Sequence, residues 1–183
     1  MKRTRLVSIL VLAVVVLALP TVANAYSYSG IHWNSTRAYY DDRQYTMPPG
    51  FIAEIEAAAS SWNNAGANFS LQLNTSSSND WGMSSLGTGG TLAATQVSYD
   101  ANYHITQVIT GFNDSKPWST NGSSNTYDVQ TVAVHEFGHW LMLNDIGYPT
   151  DAVMYGNISL NQIKRSLTTD DIQGISAIYG PKI

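Results

Sequence analysis

Residues 135–145 read His135-Glu136-Phe137-Gly138-His139-Trp140-Leu141-Met142-Leu143-Asn144-Asp145, and the conformation of this stretch governs the rest of the chain. It lies in a segment, Tyr127 to Leu143, whose apolar residues Val129, Val132, Ala133, Phe137, Trp140 and Leu141 recur at helical spacing. Residues four apart on a helix share one face, so the imidazoles of His135 and His139 can address one ion, with Glu136 beside it. Two ring nitrogens at about 2.0–2.1 Å are ordinary zinc ligation, and the intervening carboxylate can take a proton from water. The bland alternative is a helix that carries two His and a Glu by accident. With only four His and three Glu in the chain, the metal reading is the more economical. A catalytic site needs a third protein ligand. No Glu follows Glu136, which leaves Asp145, Asp151, His104 and His32 as candidates.

The surrounding composition narrows the class. The chain has 183 residues, enough for one domain, and no cysteine, which excludes disulfides, thiolate metal ligands and a thiol nucleophile. Lys2, Arg3 and Arg5 precede an apolar run from Leu6 to Leu19, followed by Pro20 and Ala23-Asn24-Ala25. A basic start, a short apolar stretch and small residues at −3 and −1 describe a secretory signal peptide over 1–25, leaving 26–183 as the exported domain. Without those three basic residues, six basic face thirteen acidic side chains, a net charge of −7. That balance argues against nucleic acid or an anionic membrane as partner.

Along the chain, Ile31, Trp33 and Tyr39-Tyr40 suit an opening strand within 26–45. Pro48-Pro49-Gly50 starts a helix with Phe51, Ile52, Ile55, Ala58, Ala59 and Trp62 on one face, closed by Asn63-Asn64-Ala65-Gly66. Phe69, Leu71 and Leu73 alternate as a strand, and Asn74 to Asp80 reads as a polar loop. Two strands are expected between Leu92 and Phe112, a polar loop from Asn113 to Asn125, and a last helix from Thr168 to Tyr179 closed by Gly180-Pro181. Strands first and helices last indicate an α+β domain. Asp41-Asp42 and Asn113-Asp114 could offer oxygen ligands to calcium, although such pairs more often form solvated turns.

The segment His135 to Asp145 resembles the metzincin signature H-E-x-x-H-x-x-G-x-x-H/D. Ala152-Val153-Met154-Tyr155-Gly156 resembles the Met-turn of that clan in its matrixin form, and Leu167 to Gly180 resembles the last helix of matrixin catalytic domains. Leu92-Ala93-Ala94-Thr95 is similar to the edge strand along which matrixins lay their substrates. The resemblance implies a zincin-like fold, with a twisted, mostly parallel sheet of about five strands and three helices. It implies a secreted, monomeric zinc-dependent endopeptidase acting on a protein or peptide substrate. One zinc would sit on His135, His139 and Asp145, with Glu136 as catalytic base. Met154 would pack beneath the ligands without bonding the metal. An apolar P1′ pocket would be shaped by Ile158, Leu160 and Ile163.

The chain departs from the pattern in three places. Met142 stands where the clan has glycine, and Asp145 stands where His is commoner. With only His32 and His104 spare, the second, structural zinc of vertebrate matrixins is not expected. A straight helix would carry Asp145 roughly 9 Å past His139 along its axis, so the helix must break between them. Asn144 is expected to take the left-handed turn, because it tolerates that conformation better than Met142. The rival from another class is a catalytically idle, metal-stabilised extracellular binding domain, which would have no use for Glu136. N-terminal sequencing of the exported protein should read Tyr26 first; an intact Met1 outside the cell would defeat the leader assignment.

Overall fold

The computed structural model describes residues 25–182, so the expected leader lies, apart from Ala25, outside the described residues. The elements in chain order are β1 (Ser27–Tyr28), β2 (Arg37–Tyr40), α1 (Phe51–Asn63), β3 (Ser70–Leu73), β4 (Asp80–Ser84) and β5 (Ala93–Tyr99). They continue with β6 (Ile105–Asn113), β7 (Trp118–Ser119), β8 (Tyr127–Asp128), α2 (Val129–Trp140), β9 (Leu143–Asn144) and α3 (Thr169–Tyr179). No helix among the described residues is long and apolar enough to cross a membrane.

In place of one continuous ladder of about five strands, the backbone forms a parallel β2–β3 pair and a three-stranded sheet ordered β4-β6-β5. Within the latter, β4 runs parallel and β5 antiparallel to β6. The two pieces touch at a single parallel bridge, Asp41 to Asp80, where Trp81 N–H donates to Asp41 O at 3.0 Å. Two-residue ribbons, β1 with β9 and β7 with β8, complete the pairing. β5 is an edge: its β6 side is paired, and among the described residues no strand pairs with its other side.

Helix α1 buries Phe51, Ile55, Ala58, Ala59 and Trp62, the face expected from its spacing except for the half-exposed Ile52. Helix α2 is buried on nearly every side, as a helix at the centre of a core must be. Trp62 crosses from α1 and donates through Nε1 to the Val134 carbonyl at 2.8 Å. On the sheet side, Trp81 stacks on Trp140 at 5.7 Å and meets Phe137 edge-on at 4.7 Å. Such aromatic pairs add about 0.5–1.5 kcal/mol each to the burial of their surface. Gly138 lets the Met-turn approach, since a Cβ there would lie 2.1 Å from Met154 Sδ and 3.2 Å from Trp62 Cζ2.

The last helix fixes that turn from the other side. Thr168 and Asp171 form a capping box, and the buried Asp171 carboxylate also accepts from the N–H groups of Val153 (2.9 Å) and Met154 (3.1 Å). Asp170 Oδ1 accepts from Ala25 N–H at 2.8 Å. Asp171 serves structure, as its position at a helix start suggests, whereas the bond to Asp170 comes from the last residue of the expected leader.

Three local expectations are corrected. β4 begins at Asp80, and Gly82 between Trp81 and Met83 hid its alternation. Asp41 and Asp42 are buried, not a solvated turn. Burial, with the neighbouring Glu56 charge, pushes the Asp42 carboxyl up to about 6 against the opposing charge of Arg43. The left-handed residue is Met142 (φ 66°), not Asn144. Asn144 must stay extended to pair with Ser27 in the β9–β1 ribbon, so the reversal falls two residues earlier. Met142 is 8% exposed, and burial of its side chain offsets a left-handed cost of about 1–2 kcal/mol. At a left-handed site glycine should outlast alanine. Thermal unfolding should therefore rank Met142→Gly above Met142→Ala by about 1 kcal/mol, both below wild type. Alanine ranking above glycine would refute the strained turn.

Candidate active site

Helix α2 presents His135 and His139 one turn apart, with ring centroids 4.8 Å apart and nearly perpendicular. Each ring is held through Nδ1, His135 by the Val153 carbonyl and His139 by the Leu143 carbonyl, both at 2.8 Å. Donation from Nδ1–H to a carbonyl leaves Nε2 with its lone pair outward, the tautomer a metal requires. The turn at Met142 returns the chain, and Asp145 Oδ1 comes to 3.0 Å from His135 Nε2 and 3.7 Å from His139 Nε2. Ligand-capable atoms of His135, Glu136 and His139 also lie within 4.8 Å of one another. A carboxylate oxygen facing two ring lone pairs needs a positive charge among them, from an extra proton or a cation. This donor set fits zinc.

The pairing shifts both groups toward their charged forms. Burial works to lower the His135 pKa, but the Asp145 hydrogen bond and the Glu136 charge outweigh it and hold the ring above its ordinary value. The hydrogen bond from His135 holds the Asp145 carboxyl below the usual carboxylate range against partial burial. Asp145 is braced by Ile146, whose N–H donates to Met154 O at 2.9 Å. Gly156 fits against it, since a Cβ there would lie 3.2 Å from Asp145 Cγ. The other spare histidines are placed together elsewhere: His32 and His104 form a backbone bridge with rings edge-on at 5.3 Å.

The atoms converge in a cleft of about 750 Å³ between the β5 edge and the loop after the Met-turn. Val132 and Ile158 line it, whereas Leu160 and Ile163 are 42% and 61% exposed and do not. The expected pocket thus keeps Ile158 but not Leu160 or Ile163, and the loop is tied back at Lys164 and Arg165. Lys164 N–H donates to Thr131 Oγ1 at 2.8 Å, and Arg165 Nε and Nη2 grip the buried Asp128 carboxylate at 2.9 and 2.5 Å. Asp128 is itself the N-cap of α2, accepting from Thr131 N–H at 2.8 Å.

Sequence reasoning placed Thr95 on the edge strand but missed its contact with Glu136. The Thr95 hydroxyl donates to Glu136 Oε2 at 2.6 Å and lies 2.7 Å from Thr110 Oγ1, which accepts from Trp140 Nε1 at 2.7 Å. Donors and acceptors alternate along this chain, ending on the carboxylate. The alternation of β5 and β6 could have placed Thr95 opposite Thr110, but nothing in the chain order tied either to Glu136.

The family model for matrixins matches residues 54–180. The chain belongs to the matrixin family. Human neutrophil collagenase is 46% identical over 70 residues, 38% of this chain and 14% of that protein. Human matrix metalloproteinase-27 is 40% identical over 72 residues, 39% of this chain and 14% of that protein. Metalloendoproteinase 1 of Glycine max is 33% identical over 102 residues, 51% of this chain and 30% of that protein. The chain thus spans under a third of the length of these curated relatives. Membership in the matrixin family points to a zinc-dependent endopeptidase and agrees with the His-Glu-His cluster.

The Arg165–Asp128 pair yields a pH prediction. Burial raises the Asp128 pKa, but hydrogen bonds from Arg165 and Thr131 more than reverse this, so the folded value is depressed. A depressed carboxylate stabilises the fold above its unfolded pKa, about 3.9, and loses that contribution as pH falls through the lower folded value. Arg165→Met should cost about 1–3 kcal/mol in urea unfolding at pH 7. The gap to wild type should narrow below about pH 4. A gap constant from pH 7 to 3 would contradict it.

Proposed function

We propose that this chain is an exported zinc-dependent endopeptidase that hydrolyses peptide bonds of extended polypeptides. The observation that carries the reading is the meeting of His135 Nε2, His139 Nε2 and Asp145 Oδ1 beside Glu136, in a cleft under a free strand edge. His135, His139 and Asp145 would hold zinc, which supplies Lewis acidity toward the scissile carbonyl and acidifies water. Glu136 is the general base: one carboxylate oxygen takes a proton from the attacking water and later gives it to the leaving amine. Thr95 occupies the other oxygen, Oε2, and so orients the carboxylate. The free edge of β5 receives the substrate backbone as an added strand, and Val132 with Ile158 favours an apolar side chain next to the bond. We further read the two sheet pieces as one twisted, mostly parallel sheet, β3-β2-β4-β6-β5, pinched at Asp41 and Asp80. Export rests on the leader over 1–25.

Mass spectrometry of the purified protein should find one zinc per chain, and casein cleavage should vanish with chelator. Glu136→Gln should keep the zinc and lose at least a hundredfold in kcat, within the usual range for a general base. Asp145→Ala should lose the zinc. Thr95→Val should lower kcat about tenfold or more by loosening the carboxylate, with Thr95→Ser restoring it. Zinc-loaded wild type that cleaves nothing would return the chain to the binding-domain class, and full zinc in Asp145→Ala would move the third ligand elsewhere.

A further inference from the structure

The loop that joins β4 to β5, residues 85–92, arches past the end of β6, the strand that lies between them. Gly90, Thr91 and Leu92 of this arch line the cleft. A Cβ at Gly87, Gly89 or Gly90 would meet nothing within 4 Å, so packing does not set the backbone there. The arch is held instead by one turn, Asn113 to Lys116. The buried Asn113 amide donates through Nδ2 to the carbonyls of Gly87 and Thr91, both at 2.8 Å. The Lys116 ammonium donates to the carbonyls of Gly89 and Thr88, the latter at 3.4 Å. The Ser115 hydroxyl lies 2.8 Å from Gly87 O. The turn is anchored to the core in its own right, since Trp118 Nε1 donates to Asn113 O at 2.8 Å and the Trp118 ring packs edge-on against Phe51 and Phe112. Four carbonyls of one short loop thus face one turn, and the positive charge they meet there is Lys116.

We propose that the Lys116 ammonium is a built-in cation, seated on the carbonyls of this arch, which sets the cleft wall without an ion drawn from the medium. Clustered backbone carbonyls are the donors that a hard cation such as calcium takes. A lysine head meets the same oxygens as a compact charge with three donors and no acceptor. Because it is tethered to the turn, it is present at every ion concentration. Asn113 and Asp114, whose oxygens could have served calcium, are engaged otherwise. Asn113 Oδ1 accepts from Ser115 N–H at 3.0 Å and lies 2.9 Å from the Ser115 hydroxyl, so the amide turns its donor side to the arch. The Asp114 side chain is exposed, and its N–H donates to Ser84 O at 3.0 Å. Resting on the endopeptidase reading, Lys116 is then a positioning residue: it acts on the substrate through the wall at Gly90, Thr91 and Leu92, and not on the reacting bond.

The test places Lys116→Met and Lys116→Glu on a Glu136→Gln background, where self-cleavage does not interfere, beside Glu136→Gln alone. Each is checked as folded by thermal unfolding. The readout is nicking between residues 86 and 92 by a broad-specificity serine protease, mapped by mass spectrometry, with and without calcium at about 10 mM, well above the range of weak sites. With Lys116 in place, nicking should be slow and indifferent to calcium. Lys116→Met keeps the stem and loses the charge, so nicking should rise about tenfold, the loss of a charged hydrogen bond, and calcium should not reverse it. Lys116→Glu should be nicked as fast without calcium and slow by about threefold or more with it, because a carboxylate completes an oxygen set. Calcium–oxygen distances of about 2.3–2.6 Å on both sides of the ion make up for the shorter side chain. Equal nicking with Lys116 and with Lys116→Met, slowing by calcium with Lys116 in place, or no calcium rescue of Lys116→Glu would each overturn the built-in cation. In the zinc-loaded enzyme with Glu136 restored, Lys116→Met should raise KM for casein about fivefold and leave kcat within about twofold. An unchanged KM would overturn the positioning role. No cleavage by zinc-loaded wild type would overturn the endopeptidase reading and leave the nicking result standing.

Discussion

Asp145 can reach the imidazoles of α2 only if the chain reverses direction immediately after the helix, and most of this structure serves that reversal. The helix closes at Trp140, Met142 takes the left-handed conformation, and Leu143 emerges with its carbonyl against His139 Nδ1. The same two residues after the turn, Leu143 and Asn144, pair with β1, so the N-terminal segment anchors the return. A left-handed methionine costs about 1–2 kcal/mol, and its buried side chain is what makes this tolerable without glycine. The turn is held from both ends: by the helix hydrogen bonds before it and by the ribbon after it.

Beneath the site the same logic continues through contacts of a few ångströms. Gly138 is bare, so the Met154 sulfur can lie against the helix backbone between the two histidines. The Val153 carbonyl then meets His135 Nδ1, while the N–H groups of Val153 and Met154 are taken by Asp171. One buried carboxylate thus caps α3 and fixes the loop that orients an imidazole. On the other flank, Trp140, Thr110 and Thr95 pass hydrogen bonds to Glu136, linking the core of the sheet to the carboxylate. Neutral groups do this work in a place where an added charge would compete with a cation.

Much of this was legible in the chain order. The spacing of His135, Glu136 and His139 on an amphipathic segment set them on one helix face, because helical periodicity is a local property. The helices 51–63 and 169–179 were visible for the same reason, as were the strands at 70–73, 93–99 and 105–113. β4 was not, since Gly82 and flanking polar residues erase a two-residue period over so short a strand. The six-residue step from His139 to Asp145 required a break, but the choice of Met142 over Asn144 depended on pairing with Ser27, more than a hundred residues away in sequence.

The sequence by itself therefore determined which residues could bind a metal, that the helix must end before Asp145, and which family the chain belongs to. Each rests on local spacing or on ordered motifs. Only the tertiary structure decided where the reversal falls, that Asp145 faces both imidazoles, and that Thr95 rather than another hydroxyl meets Glu136. It also decided that Ile158 lines the cleft while Leu160 and Ile163 stay exposed. These outcomes depend on partners distant in the chain, and a side chain's direction follows from whichever partner the fold brings within hydrogen-bond reach.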